Sequence, residues 1–296
     1  MLLRYLLGGV FFMIAGVAVS APDVIGRLQW HQVSEGDTLV SLARRYKVGY
    51  DEILRANPVV DVWLPLVGKQ VLLPTQHVLP GVGRRGVVIN LAERRLFLFE
   101  QNGSVFTAPI GIGREGWRTP LTTTRVQMKQ RQPTWYPPAS IRDEAMASGR
   151  FLPDAVPPGP ENPLGLFSVR LALPGYLIHG TNRPAGVGMR VSHGCIRLYP
   201  EDIQRFFKRV SVGTPVNIID QPYKLGWLAD ELWLEAHPVA YQSSKQSEAE
   251  QELRYALQQF QIDQGVLVDW ARVDDVLLQL DGVPVRVGWR SSPDSH

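Results

Sequence analysis

The chain of 296 residues contains a single cysteine, Cys195, set in the run Val191-Ser192-His193-Gly194-Cys195-Ile196-Arg197-Leu198. A lone thiol has no intrachain disulfide partner, which leaves it three roles: nucleophile, metal ligand or inert buried sulfur. Upstream, the apolar stretch Leu177-Ile178-His179 delivers a second histidine to Gly180-Thr181. The nine residues Asn182 to Arg190 between the two motifs carry one proline and two glycines. They read as a surface loop that folds the cysteine motif back onto His179.

Each residue type has a chemical reason to be there. The thiolate is the attacking species, and a free thiol with a pKa of about 8.5 is mostly protonated at neutral pH, so an imidazole must take the proton. His179, reaching across from another strand, is the candidate base; His193 is too near along the chain. Attack on a carbonyl creates an oxyanion, which backbone N–H groups stabilise where the chain turns sharply. Gly194 permits that turn, and the N–H groups of Gly194 and Cys195 are the candidate donors. A base needs an orienting group; between His179 and Cys195 the only Asp or Asn is Asn182, so a backbone carbonyl such as that of Gly180 can serve. Two other readings stay open. Structural cysteines sit in apolar settings, unlike the Ser-His-Gly flank here. A zinc site of His179, His193 and Cys195 would want a fourth ligand, and there is no C-x-x-C pair.

These residues need a β scaffold, and the sequence supplies one. Val87 to Leu91 and Arg95 to Glu100 read as strands, the second pairing across Gln101-Asn102-Gly103 with Val105 to Ile110 as a hairpin. Gln132 to Pro163 holds eight prolines with Trp135 and Tyr136, and a short helix is predicted from Ser140 with Asp143 as its capping-box partner. Trp30 to Pro74 reads as a separate βααβ unit: a strand at His31 to Val33, a helix with Leu39, Leu42, Ala43 and Tyr46 on one face, a second ending at Asn57-Pro58, and a returning strand at Gln70 to Pro74. Thr75 to Arg85 reads as a linker. Beyond Pro222, Leu253, Ala256, Leu257 and Phe260 share a helical face, as do Val273, Val276, Leu277 and Leu280, with a strand at Val283 to Val287. His237 and His296 read as surface residues.

The pattern His179-Gly180-Thr181 followed by Ser192-His193-Gly194-Cys195-Ile196-Arg197-Leu198 resembles the signature of the YkuD-type L,D-transpeptidases of bacterial cell walls. The resemblance runs from Val87 to Asp220 through Pro109-Ile110-Gly111-Ile112-Gly113, Trp117-Arg118-Thr119-Pro120 and Gly159-Pro160-Glu161-Asn162-Pro163-Leu164-Gly165, and is strongest to the Gram-negative periplasmic branch. It implies a mainly β, sandwich-like catalytic domain with Cys195 as nucleophile, His179 as base and the Gly180 carbonyl orienting it. Ser192, His193 and Gly194 would shape the oxyanion site, Arg197 and Thr181 would meet the donor stem peptide, and the proline-rich stretch would form a flap over the cleft. The implied reaction releases D-Ala from a tetrapeptide stem, holds the stem as a thioester and passes it to an amine: the lysine of an outer-membrane lipoprotein by preference, or diaminopimelate, or water. No metal or other cofactor is implied. An NlpC/P60-type endopeptidase would place its Cys before its His, the reverse of the order here. A glycan-binding scaffold with a dead catalytic domain would not explain why thiol, base and oxyanion turn are all present.

The Trp30 to Pro74 unit resembles a LysM domain through Val33-x-x-Gly36-Asp37-Thr38-Leu39 and Asn57, which implies glycan binding beside Gly36, Asp37, Thr38 and the loop Val59 to Leu64. Read as a tethered module, it would raise local substrate concentration without affecting turnover of a soluble peptide. The resulting division is 1–20 signal peptide, 30–74 LysM-like unit, 75–85 linker, 86–222 catalytic domain and 223–296 a small α/β extension. Met1 to Ser20 has an apolar stretch shorter than a membrane span and the small residues Ala18-Val19-Ser20 before Ala21, the form of a secretory signal. The expected location is the periplasm, with no stable membrane span after cleavage. Thirty-one basic against 28 acidic residues, a formal charge of +3, is too balanced for a nucleic-acid surface.

Overall fold

The computed structural model describes residues 22–290; the expected signal and His296 lie outside them. Among the described residues no helix is long and apolar enough to cross a membrane.

The N-terminal unit pairs strand Gln29–Gln32 with Gln70–Leu73, antiparallel, around helices Leu39–Tyr46 and Tyr50–Ala56. Its first helix starts where Thr38 Oγ1 accepts the Ser41 N–H and Ser41 Oγ accepts the Thr38 N–H, both at 3.0 Å, a reciprocal cap that satisfies two otherwise orphaned donors. Leu39, Leu42, Ala43, Ile53, Val71 and Leu73 form its core. Asn57 joins helix to sheet, donating to Ile53 O and Leu72 O and accepting from Leu72 N, all at 2.8 Å.

The catalytic domain is mainly β. Eight strands form one sheet in the order Ile196–Arg197, Leu177–His179, Phe167–Leu171, Thr122–Arg131, Pro215–Ile219, Gly86–Asn90, Arg95–Phe99, Val105–Pro109, and Ile112–Gly113 pairs with Arg190–Ser192 beside it. The ten-residue strand Thr122–Arg131 joins two halves: Thr122 to Arg125 pair with Pro215 to Ile218, whereas Val126 to Arg131 pair with Phe167 to Leu171. Helix Pro200–Arg209 presses Ile203, Phe206 and Phe207 into the core that both halves share. The C-terminal extension is a four-stranded sheet of Tyr223–Leu228, Glu231–Ala236, Val285–Arg290 and Val266–Val268, covered by helices Gln246–Gln264 and Trp270–Gln279.

Several expectations change. The supposed linker contains strand Gln76–Val78, paired with Val24–Gly26, and its Val78 and Leu79 are buried. The flap helix spans Ala139–Ala147 rather than starting at Ser140, with Pro138 at its N-cap and no side-chain cap. His237 is buried, its Nε2 2.7 Å from Glu235 Oε1. That carboxylate also meets Lys224 Nζ at 2.9 Å, while Lys224 reaches Glu93 Oε2 and Val78 O at 2.7 Å each. Catalytic domain, linker strand and extension thus meet at one buried ammonium.

The largest change concerns the N-terminal unit, which is docked rather than tethered. Arg95, on a catalytic-domain strand, grips Glu52 of helix Tyr50–Ala56 through Nε to Oε1 at 3.0 Å and Nη2 to Oε2 at 2.7 Å. Arg94 pairs with Asp51 at 2.9 Å, the Tyr199 hydroxyl donates to Val48 O at 3.3 Å, and Tyr50 N–H donates to Val187 O at 3.2 Å. The last contact falls inside the loop between His179 and Cys195, so deleting the unit would remove a backbone hydrogen bond of that loop. Glu52→Ala strands the Arg95 guanidinium, whose side chain is 2% exposed, and should lower stability by about 3–5 kcal/mol in denaturant unfolding. A loss below about 1 kcal/mol, the worth of a surface pair, would mean that the unit is loosely held.

Candidate active site

Strands Leu177–His179 and Ile196–Arg197 run parallel, with Ile178 opposite Ile196 and His179 opposite Arg197. Side chains alternate along a strand, so His179, Arg197 and Cys195 share one side and line one cleft of about 1050 Å3. His179 is buried, and its Nδ1 lies 2.6 Å from Gly180 O. A carbonyl only accepts, so Nδ1 carries the hydrogen and Nε2 keeps its lone pair free to receive a proton. Burial, reinforced by the Arg197 charge, brings its pKa down to about 3, and the imidazole is neutral at physiological pH.

Burial likewise pushes the half-buried Cys195 thiol up, against smaller opposing effects of the Leu177 amide and the Arg197 charge. Sγ donates to Gly175 O at 3.5 Å. The pair therefore rests as thiol and neutral imidazole, with the S–H directed at the Gly175 carbonyl rather than at His179.

The loop bearing Cys195 is cradled by the segment Ile110 to Thr119. Gly111 and Arg197 exchange backbone hydrogen bonds at 2.8 and 2.9 Å, Ile112 N–H donates to Met189 O, and Arg114 N–H donates to Ser192 O, both at 3.0 Å. Gly194 takes φ +101°, a conformation open chiefly to glycine, and the Tyr176 ring lies where a side chain would be. Ser192 Oγ closes the turn, donating to Cys195 O at 2.6 Å and accepting Gly194 N–H at 3.1 Å. That bond changes one expectation: the Gly194 N–H is engaged within the turn, which leaves the Cys195 N–H as the candidate oxyanion donor of the two.

His193 belongs elsewhere than with the base. Its Nε2 lies 2.8 Å from Glu144 Oε2, on the flap helix, and its ring meets Trp117 edge-on at 4.8 Å. Arg114 also pairs with Glu144, and both partners, His193 first, hold that carboxyl below its usual range. The flap is thereby latched to the catalytic loop. Its base is held by buried Asn162, which donates to Pro133 O at 2.8 Å and Val156 O at 3.1 Å. Glu144 and Tyr176 escaped the sequence reading, since nothing local marks an acid 49 residues from its histidine.

Thr181 lines the cleft, but its Oγ1 accepts the Arg183 N–H at 2.9 Å. Arg197 Nε is buried with no hydrogen-bond partner among the described residues, a cation in want of an anion. In the N-terminal unit the Asp37 carboxylate is consumed internally by His31, Ser34 N and Arg45, and Thr38 by its helix cap. Of the three, Asp37 is buried, Thr38 is half-buried and Gly36 is exposed. His179, His193 and Cys195 do not converge as a metal site. Among the described residues His77, Glu93 and Glu235 bring ligand atoms within 4.8 Å, but the Lys224 ammonium already bridges the two carboxylates.

Comparison with known proteins bears on the same segments. Residues 84–218 match the L,D-transpeptidase catalytic domain and residues 31–74 match the LysM domain. The chain is 41% identical over 256 residues to the "Probable L,D-transpeptidase ErfK/SrfK" of Salmonella typhimurium, covering 84% of this chain and 82% of that protein. The chain belongs to the L,D-transpeptidase family. It is also 38% identical over 277 residues to the "Probable L,D-transpeptidase YbiS" of Escherichia coli K12, covering 89% of this chain and 88% of the relative. At 89% coverage the second match extends well beyond the catalytic domain.

In this L,D-transpeptidase the neutral resting pair has a measurable signature. Alkylation of Cys195 by iodoacetamide should climb with pH through and beyond the ordinary thiol value of about 8.5, because burial raises the thiol. A rate already at its plateau at neutral pH would show a preformed thiolate–imidazolium pair instead.

Proposed function

We propose that this L,D-transpeptidase works through Cys195 as nucleophile and His179 as general base on peptidoglycan stem peptides. The observation that carries the reading is the fixed tautomer of His179, with Nδ1 spent on Gly180 O and the ring facing the cleft that also holds the thiol. Sγ attacks the carbonyl carbon between diaminopimelate and the terminal D-Ala while its proton passes to His179 Nε2. The Cys195 N–H stabilises the oxyanion. His179 then protonates the departing D-Ala amine as the C–N bond breaks, leaving a thioester. An acceptor amine attacks the thioester, gives its proton to His179 and restores the thiol as the new amide forms. Arg197, half-buried and with its Nε short of a partner, suits a carboxylate of the stem through its forked donors.

The acceptor we favour is the side-chain lysine of an outer-membrane lipoprotein. Support comes from the resemblance to the Gram-negative branch and from an extension that offers surface to a protein partner. The LysM unit would hold glycan, and exposed Trp63 and Leu64 in its open loop suit the faces of sugar rings. Peptidoglycan as substrate places the protein in the periplasm.

A carbapenem should add once to the chain, seen as an intact-mass increase that Cys195→Ala abolishes; an adduct that persists in this variant sinks the nucleophile. His179→Ala should fold but acylate about 100-fold more slowly. For the acceptor, the enzyme is incubated with sacculi and the lipoprotein, followed by muramidase digestion and mass analysis. Stem-linked lysine is the expected product. Dimers joined through two diaminopimelates, or free tripeptide alone, would each overturn the choice.

A further inference from the structure

The Cys195 loop is braced from behind by a residue outside the catalytic domain. Tyr241 lies in the extension, between strand Glu231–Ala236 and helix Gln246–Gln264. Its hydroxyl donates to Gly113 O at 2.8 Å and accepts the Thr119 N–H at 3.1 Å. Thr119 Oγ1 in turn accepts the Gly113 N–H at 3.0 Å and donates to Gly194 O at 2.8 Å. Each hydroxyl has one hydrogen, and each spends it on a backbone carbonyl, so the donor directions in this relay are determined.

The preceding residue anchors the brace. Ala240 O accepts from Arg190 Nη1 at 2.7 Å, at the start of the strand leading to Ser192, and Ala240 N–H donates to the Asp220 carboxylate at 3.1 and 3.2 Å. The Arg118 guanidinium lies 5.5 Å over the Tyr241 ring.

The end of the relay is what matters. Gly194 O and Cys195 N–H belong to one peptide plane, on opposite edges of a trans amide. Holding the carbonyl edge on Thr119 therefore fixes the direction of the N–H edge, and a hydrogen bond at the carbonyl polarises the amide and strengthens it as a donor. We infer that Tyr241 is a positioning residue for catalysis, acting through Thr119 and the Gly194 carbonyl to aim the Cys195 N–H at the developing oxyanion. The inference rests on the proposed role of Cys195 and gives the C-terminal extension a part in the chemistry.

The test compares two reactions of the same sulfur in the full-length protein. Carbapenem acylation passes through an oxyanion; alkylation by iodoacetamide displaces iodide and forms none. Tyr241→Phe keeps the ring and loses only the hydroxyl. It should slow acylation about 10-fold, less than the roughly 100-fold or more typical of deleting an oxyanion donor outright, while alkylation stays within about 2-fold of the unaltered protein. Thr119→Val should act in the same direction, and the double variant should be no slower than the slower single one, as for links of one chain. Thr119→Ser, which keeps the hydroxyl, should recover the acylation rate. Unchanged acylation in Tyr241→Phe overturns the inference. An equal fall in both reactions also overturns it, since that marks general loosening of the loop. Absence of any Cys195 adduct in the unaltered protein overturns the nucleophile assignment itself, and this inference with it.

Discussion

The close approach of two glycine backbones, Gly113 and Gly194, is the constraint on which the site depends. A side chain on Gly113 would overlap the Trp117 carbonyl and come within 3.0 Å of Gly194 Cα, while one on Gly194 would come within 2.9 Å of the Tyr176 ring. With neither present, the Ile110 to Thr119 segment lies flat against the catalytic loop. The Thr119 hydroxyl can then reach Gly194 O, and the turn that presents Cys195 is held on both edges. The glycine-rich Pro109 to Gly113 run is thus part of the active site although it contributes no reacting atom.

Electrostatics in the cleft follow from one cause acting on two groups. Desolvation disfavours charge, so it lowers the imidazole pKa of His179 and raises the thiol pKa of Cys195. Both shifts oppose a resting ion pair. On the proposed mechanism the thiol would stay protonated until attack, and charge would develop only as the oxyanion meets the Cys195 N–H. Arg197 contributes twice: its charge favours the thiolate, and it further depresses the imidazole. Such a guanidinium suits a site whose substrate brings its own carboxylate to offset it.

What was legible in the sequence is what depends on near neighbours. Leu39, Leu42 and Ala43 share one helical face, Arg95 to Pro109 turns back as a hairpin, and His179 and Cys195 come together because strands only 17 residues apart run side by side. Hidden features depend on distant partners. His237 looked exposed because nothing near it in sequence shows that its partner Glu235 is itself buried against Lys224, which also holds Glu93, and Gln76 to Val78 looked like a linker because its partner strand lies some 50 residues earlier. Tyr241 is 122 residues from the amide it receives. The hairpin Tyr223 to Ala236 could have been read: two apolar runs flank Ala229-Asp230, with Ala229 at φ +52°.

The buried charges explain why the apparent modules behave as one body. Lys224, fully buried, needs Glu93 from the catalytic domain and Glu235 from the extension, and Arg95 needs Glu52 from the N-terminal unit. Ions inside a protein are tolerable only with their partners in place. Separating any unit would leave at least one charge buried and unpaired, or would require the site around it to open to water. Helix Tyr50–Ala56 also begins against Val187 and Gly188, in the loop that closes on Cys195. The LysM unit is therefore fixed in orientation to the cleft, and a glycan bound on its surface would present stem peptides to Cys195 from a defined direction rather than at the end of a flexible leash.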